Sequence, residues 1–449
     1  MSLYQYQRDG VNFLKSRQRA ILGDDMGVGK TIQALYAIEE LDSFPLLVIC
    51  PKTVKLSWKI EVHKWLKGRT AVIVDGDKRR RSAQINSKCD VLIMNYEQMK
   101  IHEVELLKKE FKSIVFDEAH KLKNHQGKSF RTACHLRSKF KDARIYFLSG
   151  TPMRNRPQEI WTMLHLIDKE NYNSYWRWIH TNFKWHNENY SGITVKKIDD
   201  PIDYDDFRKT LSMFMLRRER DAVLDLPSLN EIEYPIELED SQRKIYNSMR
   251  DNMVAQLESG SLIPAPIVIA QITRLKQICC SPSIIEAPYG CEGTKLDAVV
   301  DLIEASQGKK IVIFSQFATY LTEMHKKLQK YGFGLITGET AMERRISLVK
   351  DFQDPNSKLK GMLISVKAGG EGITLTEGNV VIFTDLVWTP ADIDQAIGRV
   401  YRNGQTKPVT VYYIRALNTI ESKIDSLIRS KRLTIMRAMP VSEVRDLLT

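Results

Sequence analysis

Short apolar runs recur along this chain of 449 residues, and they restrict its fold more than any other feature does. In the first half each run is four to six residues long, rich in Val, Ile and Leu, and not interrupted by alternating polar residues. Such runs are typical of strands that are buried on both faces of a parallel sheet. The runs are Ala20–Gly23, Leu46–Cys50, Ala71–Asp75, Val91–Tyr96, Ile114–Asp117 and Ile145–Ser149, and then Lys310–Ser315, Phe333–Thr337, Met362–Ser365, Val380–Thr384 and Val409–Arg415. Helix-like segments such as Lys30–Leu41 and Leu56–Leu66 separate them, so the sequence predicts an α/β fold with two doubly wound sheets.

The stretch between the two series of runs differs from both. Residues from about 157 to 280 show long helical patterns and almost no strand signal, and they hold four of the seven tryptophans. The aromatic cluster Tyr172–Trp178 within this stretch fits a buried core better than a platform for nucleic-acid bases. We therefore expect a first domain over residues 1–156, a helical insertion over 157–290 and a second domain over 291–449.

The charge balance indicates a basic protein. Lys and Arg number 67 against 55 for Asp and Glu, a formal net charge of +12. This excess fits a polyanionic partner, and it fits an ordinary basic surface equally well. The sequence has no apolar run of about eighteen residues and starts with the polar segment MSLYQYQRDG, so we expect an intracellular protein without a membrane-spanning helix or a secretory signal.

A glycine-rich loop follows the first apolar run and precedes a helix-like segment. Its sequence is Gly23-Asp-Asp-Met-Gly27-Val-Gly29-Lys30-Thr31. In that position, backbone N–H groups can surround phosphate oxygens, the lysine adds a positive charge, and the threonine can bind magnesium. The strict phosphate-loop pattern fails at its first position, which is Asp24, so an ordinary strand–turn–helix junction is the alternative.

An acidic pair follows another predicted strand, in the sequence Ile114-Val-Phe-Asp117-Glu118-Ala-His120. Asp117 can hold magnesium, while Glu118 can orient and deprotonate a water molecule. The alternative is a helix start that happens to be acidic. The pair together with the loop at Lys30 favours a site that cleaves a nucleoside triphosphate.

Two arginines in the second half are three residues apart, in Gln395-Ala-Ile-Gly-Arg399-Val-Tyr-Arg402-Asn-Gly-Gln405. If this segment is helical, the two guanidinium groups lie on one face. They could then neutralise charge on a transferred phosphate. Alone, such a pair is more often a solvated face or a phosphate-backbone patch.

The order of these motifs resembles that of the Snf2-type branch of the superfamily 2 helicase-like translocases, over about residues 3–430. Further blocks resemble the family's glutamine motif (Leu3–Val11), motif Ia with its sequel (Leu47–Pro51, Trp58, Glu61 and Trp65), motif III (Leu148–Pro152), lobe junction (Leu216–Arg218 and Leu226–Pro227), motif IV (Ile311–Phe317), the following block (Thr337–Thr340 with Arg344), motif V (Lys367–Thr376) and motif VI (Gln395–Gln405). The resemblance implies two RecA-like lobes of the P-loop NTPase type, with parallel sheets and a helical insertion between them.

The resemblance also implies ATP and Mg²⁺ as cofactors, and it assigns roles to individual residues. Catalysis would use Glu118, Lys30, Arg399, Arg402 and Gln395. The nucleotide would contact Gln7, which reads the adenine, and also Asp25, Met26, Gly27, Val28, Gly29, Lys30, Thr31, Asp117 and Gly372, of which Thr31 and Asp117 would hold the metal. Nucleic acid would contact Lys52, Thr53, Trp58, Ser315, Gln316, Lys367 and Gly369.

The function that this resemblance implies is a DNA-dependent ATPase, a monomeric motor that translocates on double-stranded or branched DNA in repair, replication or recombination. Thr374 and Thr389 stand where the family often has asparagine, and Tyr401 where it often has histidine. The Asp24-Asp25-Met26 variant and Thr374 resemble the annealing-helicase, fork-remodelling (HARP-like) subgroup. An RNA-directed DEAH-type helicase and a noncatalytic nucleic-acid-binding module are the alternatives. We expect a cytoplasmic or nucleoid location and a bacterial or viral origin.

Overall fold

The chain forms two compact units. This computed structural model describes residues 3–190, 193–258, 265–285, 293–369, 373–385, 387 and 389–439. Among these, the first unit comprises the residues up to Asp225 together with residues 432–439, and the second comprises Leu226–Lys431. The units divide after Asp225, so the predicted domain ends at residues 156 and 290 do not coincide with this division. No helix in the described ranges is long and apolar enough to cross a lipid bilayer.

The first unit is built on a parallel sheet of seven strands. Its strands, with a separate hairpin, are β1 Arg19–Leu22, β2 Leu46–Cys50, β3 Ala71–Ile73, β4 Val91–Asn95, β5 Ser113–Asp117, β6 Arg144–Leu148, β7 Phe183–Tyr190, β8 Ile193–Pro201 and β9 Met215–Leu216. The sheet order is β3-β4-β2-β5-β6-β1-β9, and β7 and β8 pair only with each other, in antiparallel fashion. The helices are α1 Gln5–Lys15, α2 Lys30–Glu40, α3 Lys55–Trp65, α4 Lys78–Asn86, α5 Tyr96–Ile101, α6 Glu103–Leu106, α7 Lys128–Lys139, α8 Trp161–Ile167, α9 Tyr175–Asn182, α10 Tyr204–Phe214 and α11 Arg220–Val223.

The second unit contains a parallel sheet of six strands in the order β10-β15-β14-β11-β13-β12. The strands are β10 Leu229–Ile236, β11 Lys310–Ser315, β12 Phe333–Ile336, β13 Gly361–Ser365, β14 Gly378–Phe383 and β15 Val409–Ala416. The helices from here to the end of the described chain are α12 Asp240–Glu258, α13 Ala265–Cys280, α14 Thr294–Ala305, α15 Ala318–Leu328, α16 Met342–Gln353, α17 Val366–Gly369, α18 Pro390–Val400 and α19 Ile420–Ala438.

All the apolar runs are strands of these two sheets, as predicted, because their side chains are buried on both faces. The five residues of β2 and the six of β11 are buried throughout. The expected helical insertion is wrong in part, since residues 157–290 also contain the hairpin β7–β8 and the strands β9 and β10. The side chains of β10 are mostly exposed or half-buried, so this strand lacks the apolar run that identifies its neighbours.

The register of the first sheet brings four strand ends to one level. Leu22 at the end of β1 pairs with Leu148 of β6 on one side and Leu216 of β9 on the other. Asp117 at the end of β5 also pairs with Leu148. Carboxyl ends of parallel strands are where ligands bind in open α/β sheets. The loops that follow these four strands therefore meet at one edge of the sheet.

Candidate nucleotide site

The glycine-rich loop leaves β1 and enters α2 at this edge. Gly29 precedes the helix with a φ of 91°, in the left-handed region that favours glycine. A side chain here would also clash, because a Cβ on Gly29 would lie 2.7 Å from Nε2 of Gln7. The same Gln7 nitrogen donates to the carbonyl of Val28 at 3.4 Å, so the predicted adenine reader lies against the loop.

The side chain of Lys30 is turned back onto the loop. Its Nζ donates to the carbonyls of Asp24 at 2.7 Å and Asp25 at 3.0 Å. Burial lowers the pKa of Lys30, and the nearby carboxylates, above all that of Glu118, act in the opposite direction. The loop thus holds a cation at the start of α2, and the N-terminus of a helix is where backbone N–H groups can bind a phosphate.

The acidic pair follows β5 at the same edge. Oδ2 of Asp117 accepts a hydrogen bond of 2.8 Å from Nε1 of Trp58, and Oδ1 accepts one of 2.9 Å from the backbone N–H of Glu118. Glu118 itself has a φ of 50°, which is uncommon for a residue other than glycine. Such backbone strain is concentrated at functional sites.

The environment of Asp117 disfavours the ionised form of its side chain. Burial, followed by the adjacent Glu118 carboxylate, raises the pKa of Asp117 from 3.8 to about 6. A carboxyl group with a raised pKa in the folded protein binds more protons there than in the unfolded chain. Its contribution to stability is therefore complete below pH 3.8 and is lost as the pH rises through about 6.

We accordingly expect Asp117→Asn to stabilise the first unit against denaturant at pH 7.5 by about 1–3 kcal/mol, since one pKa unit corresponds to about 1.4 kcal/mol. The gain should shrink as the pH is lowered to about 4, because the carboxyl group is then largely protonated, and so uncharged, in the folded protein. Denaturant unfolding of the nucleotide-free protein without magnesium, at both pH values, measures the difference. An equal effect at the two pH values would show that the charge of Asp117 is not its cause.

A polar chain connects the acidic pair to the loop after β6. Nδ1 of His120 lies 3.2 Å from Oε2 of Glu118 and 3.2 Å from Oγ of Ser149. Oγ of Ser149 in turn accepts a hydrogen bond of 3.2 Å from the backbone N–H of Thr151. His120 is buried, so these contacts fix the orientation of the Glu118 carboxylate.

Arg217 and Arg218 follow β9 and contact the glycine-rich loop at the same sheet edge. The sequence predicted only that they belong to the lobe junction. Arg218 donates to the fully buried carboxylate of Asp24, with Nε 3.0 Å from Oδ1, and its Nη2 donates to Oε1 of Gln33 at 2.8 Å. Arg217 binds the carboxylate of Asp25 at 2.9 Å and the carbonyl of Gly23 at 3.1 Å. The burial of Asp24 explains its contact with Arg218, since a buried carboxylate requires a cationic partner, but this burial is visible only in the structure.

The arginines of the second unit lie around the end of α18. Arg399 is in the last turn of this helix, whereas Arg402 follows its end at Val400, so the premise that both lie on one helical face is wrong. Nη1 of Arg402 donates to Oγ1 of Thr374 at 3.0 Å. Gln395 lies within α18 and is buried, and Gly372 lies outside the described residues.

The two other residues that depart from the usual family pattern have structural contacts in the second unit. Thr389 caps the first turn of α18 by accepting a hydrogen bond from the backbone N–H of Asp392. The hydroxyl of Tyr401 donates to the carbonyl of Pro227 at 2.9 Å.

Two of the predicted nucleic-acid contacts need correction. Trp58 is buried and its indole N–H is bound to Asp117, so it positions the acidic pair. Ser315 is fully buried, and its hydroxyl donates to Asp385 and accepts from the backbone N–H of Phe317. Neither side chain is available to a phosphate.

The other predicted nucleic-acid contacts are accessible or lie in short helical turns. Lys52 and Lys367 are exposed, and Thr53 and Gln316 are half-buried. Gly369 is the last residue of the short helix α17.

Comparison with protein-family models shows the family to which this chain belongs. The family model of the SNF2-related domain matches residues 6–284. The chain belongs to the SNF2-related domain family. The model of the helicase conserved C-terminal domain matches residues 294–404 of this SNF2-related chain.

Individual relatives come from bacteria and eukaryotes. An uncharacterized ATP-dependent helicase of Mycoplasma genitalium is 28% identical over 98% of this chain and 42% of its own length. The ISWI chromatin-remodeling complex ATPase ISW1 of Saccharomyces cerevisiae is 29% identical over 94% of this chain and 39% of its own length. The SNF2-related chain therefore spans about two fifths of the length of these curated relatives.

Among solved structures, the Sulfolobus solfataricus SWI2/SNF2 ATPase core in complex with dsDNA is 26% identical to this chain, with a TM-score of 0.44. The match covers 99% of this chain and 98% of that one.

Proposed function

We propose that this SNF2-related chain hydrolyses ATP and couples the hydrolysis to translocation on double-stranded or branched DNA. The observation that carries the proposal is the convergence of Lys30, the pair Asp117–Glu118 and Ser149 on one sheet edge of the first unit. Membership of the family supports it, as do the names of relatives that are ATP-dependent helicases and chromatin-remodeling ATPases.

In this proposal the first unit binds the nucleotide and activates water. The N–H groups of the loop over residues 25–29 and the ammonium of Lys30 bind the phosphates, and Gln7 contacts the adenine. Glu118 accepts a proton from the water whose oxygen bonds to the γ-phosphorus as the bond to the ADP oxygen breaks.

The residues present fit a magnesium ion. Oxygen is the ligand that Mg²⁺ prefers, and Asp117 places a buried carboxylate next to that of Glu118. Burial and, after it, the Glu118 carboxylate raise the pKa of Asp117, so a cation bound here would stabilise its charged form. Thr31 and Asp117 would hold the ion, which neutralises phosphate charge when it is bound.

We propose that the second unit contributes Arg399, Arg402, Gln395 and Gly372 to the reaction. A guanidinium group can stabilise the charge that develops on the transferred phosphate, and it stays protonated at any physiological pH. Arg402 is held by Thr374 in this structure, so a threonine at that position supports the arginine.

Contacts with DNA are assigned to Lys52, Thr53, Gln316, Lys367 and Gly369. Contacts of this kind bind phosphates, so they are insensitive to base sequence and sensitive to salt. Such binding suits a motor that moves along arbitrary DNA. A role in repair, replication or recombination, the relationship to the HARP-like subgroup, and a cytoplasmic or nucleoid location remain predictions.

ATP turnover in the presence of different polynucleotides tests the proposed function. We expect duplex or forked DNA to stimulate turnover by about tenfold or more, since a translocase couples its catalytic state to the bound track. The panel compares duplex DNA, forked DNA, single-stranded DNA and RNA at one salt concentration. Stimulation by RNA above that by any DNA would favour an RNA-directed helicase, and no turnover with any of them would favour a noncatalytic binding module.

A further inference from the structure

The hairpin β7–β8 is anchored in the core of the first unit at its base. Trp178 of α9 and Phe183 of β7 are buried, with ring centroids 5.0 Å apart, and Phe183 contacts the ring of Phe207 at 5.6 Å. The hairpin forms its own two-stranded sheet, apart from the seven-stranded sheet of this unit. Its position is therefore fixed by packing at one end.

Above this anchor, three aromatic rings and one lysine form an exposed group, which we name the ring cluster: Trp176, His180, Trp185 and Lys196. The rings of His180 and Trp185 stack at 4.6 Å with an angle of 26° between their planes. Nζ of Lys196 lies 5.0 Å from the ring centroid of Trp176 and 5.1 Å from that of Trp185. The two tryptophans are 42% and 39% exposed.

Folding alone does not account for this exposure. Trp178, on the same helix as Trp176, has its indole buried in the core. Indole surface left in water gives up the free energy that its burial would contribute to folding. Exposed aromatic faces beside a cation are, by contrast, the chemistry that binds nucleobases with their phosphates.

Charges are separated between the two faces of the hairpin. On the face of Trp185, the cross-strand register places Asn187 opposite Lys196 and Asn189 opposite Thr194. On the other face, Asp199 binds His186 at 2.8 Å and Glu188 binds Lys197 at 2.8 Å. Glu188 and Asp199 are thus paired on the far face. Within the described strands, the face that carries the rings has one carboxylate, that of Asp200 next to Tyr204 at the base of the hairpin, and beyond it presents cationic and amide groups to a polyanion.

We propose that the ring cluster is a stacking surface for unpaired bases of DNA. Bases within a duplex are stacked on each other and hide their faces, whereas a single-stranded tail or a branch point exposes them. The ammonium of Lys196 covers the indoles through a weak cation–π contact, and it can move to a phosphate when a base takes its place. The inference rests on the proposed function, because it names the DNA structure on which the motor acts.

Equilibrium binding by the full chain, without nucleotide, tests the ring cluster. The ligands are labelled oligo-dT, a duplex with an oligo-dT tail, and the same duplex with blunt ends. In the double variant Trp176→Ala/Trp185→Ala we expect affinity for oligo-dT and for the tailed duplex to fall by about tenfold or more, as expected for lost base stacking. Affinity for the blunt duplex should stay within about twofold.

Matched variants separate stacking from folding and from charge. Trp185→Phe keeps an aromatic ring and should keep most of the affinity for the tailed duplex, whereas His186→Ala/Lys197→Ala alters only the far face and should change nothing. Equal losses on tailed and blunt duplexes, no loss on either, or an equal loss in the far-face variant would each overturn the proposal. The binding assay contains no ATP, so its outcome does not depend on turnover. A tail-specific loss in the double variant, together with no DNA-stimulated turnover in the wild type, would reject the proposed function and keep the ring cluster.

Discussion

Replacing Glu118 by glutamine is expected to reduce ATP turnover by about a thousandfold, within the roughly 10²–10⁴ that general base catalysis contributes. Glutamine has the shape of glutamate but cannot accept the proton of the attacking water. The side chain at this position is fixed by the left-handed backbone of residue 118 and by His120, 3.2 Å away. Because the loop, Lys30 and Asp117 are unchanged, the affinity for ATP and Mg²⁺ should change by no more than about threefold.

Steady-state turnover and equilibrium binding of a fluorescent ATP analogue together measure this separation of effects. Glu97→Gln is the matched control, since the Glu97 side chain is 73% exposed and lies on α5, and it should behave as the wild type. Lys30→Ala should lose turnover as well, but with weaker nucleotide binding, because Lys30 supplies charge to the ground state. Turnover of Glu118→Gln within about tenfold of the wild type would assign the base to another residue.

The sheets were predictable because burial on both faces leaves a continuous apolar run in the sequence. β2 and β11 begin and end where the runs do. The hairpin β7–β8 was missed, and so were two strands at the edges of the sheets. Of these, β9 has only two residues, and β10 has Pro235 and several exposed side chains. An edge strand needs neither a continuous apolar run nor every backbone N–H, so its sequence resembles a loop.

The nucleotide site was predictable where its chemistry is local, in the loop before α2 and in the acidic pair after β5. Contacts between distant segments were not, since no local pattern specifies them. Arg218 and Asp24 are separated by 194 residues, and Trp58 and Asp117 by 59. The same limit explains the error at Ser315, whose burial depends on its partner Asp385, 70 residues away.

The pair Arg218–Asp24 gives the second large prediction. Arg218→Met is expected to lower the free energy of unfolding of the first unit by about 3–5 kcal/mol, since removal of one partner leaves an uncompensated buried charge. Asp24 is completely buried, and after this change only the amide of Gln33, at 3.2 Å, would remain as a side-chain donor to its carboxylate. Denaturant unfolding at neutral pH measures the loss, and Arg79→Met, at an exposed position, is the control.

The double variant Asp24→Asn/Arg218→Met distinguishes a charge pair from simple packing. With both charges removed, no buried ion lacks its partner, so we expect the double variant to be more stable than Arg218→Met alone. Losses that add independently would show that the guanidinium acts through its packing and through its contacts with Tyr6 and Gln33. The carbonyl of Asp24 also holds the ammonium of Lys30 at 2.7 Å. If Asp24 moves when it loses Arg218, the position of Lys30 changes with it, so Arg218→Met should weaken ATP binding too. The segment after β9 would then contribute to nucleotide binding as well as to stability.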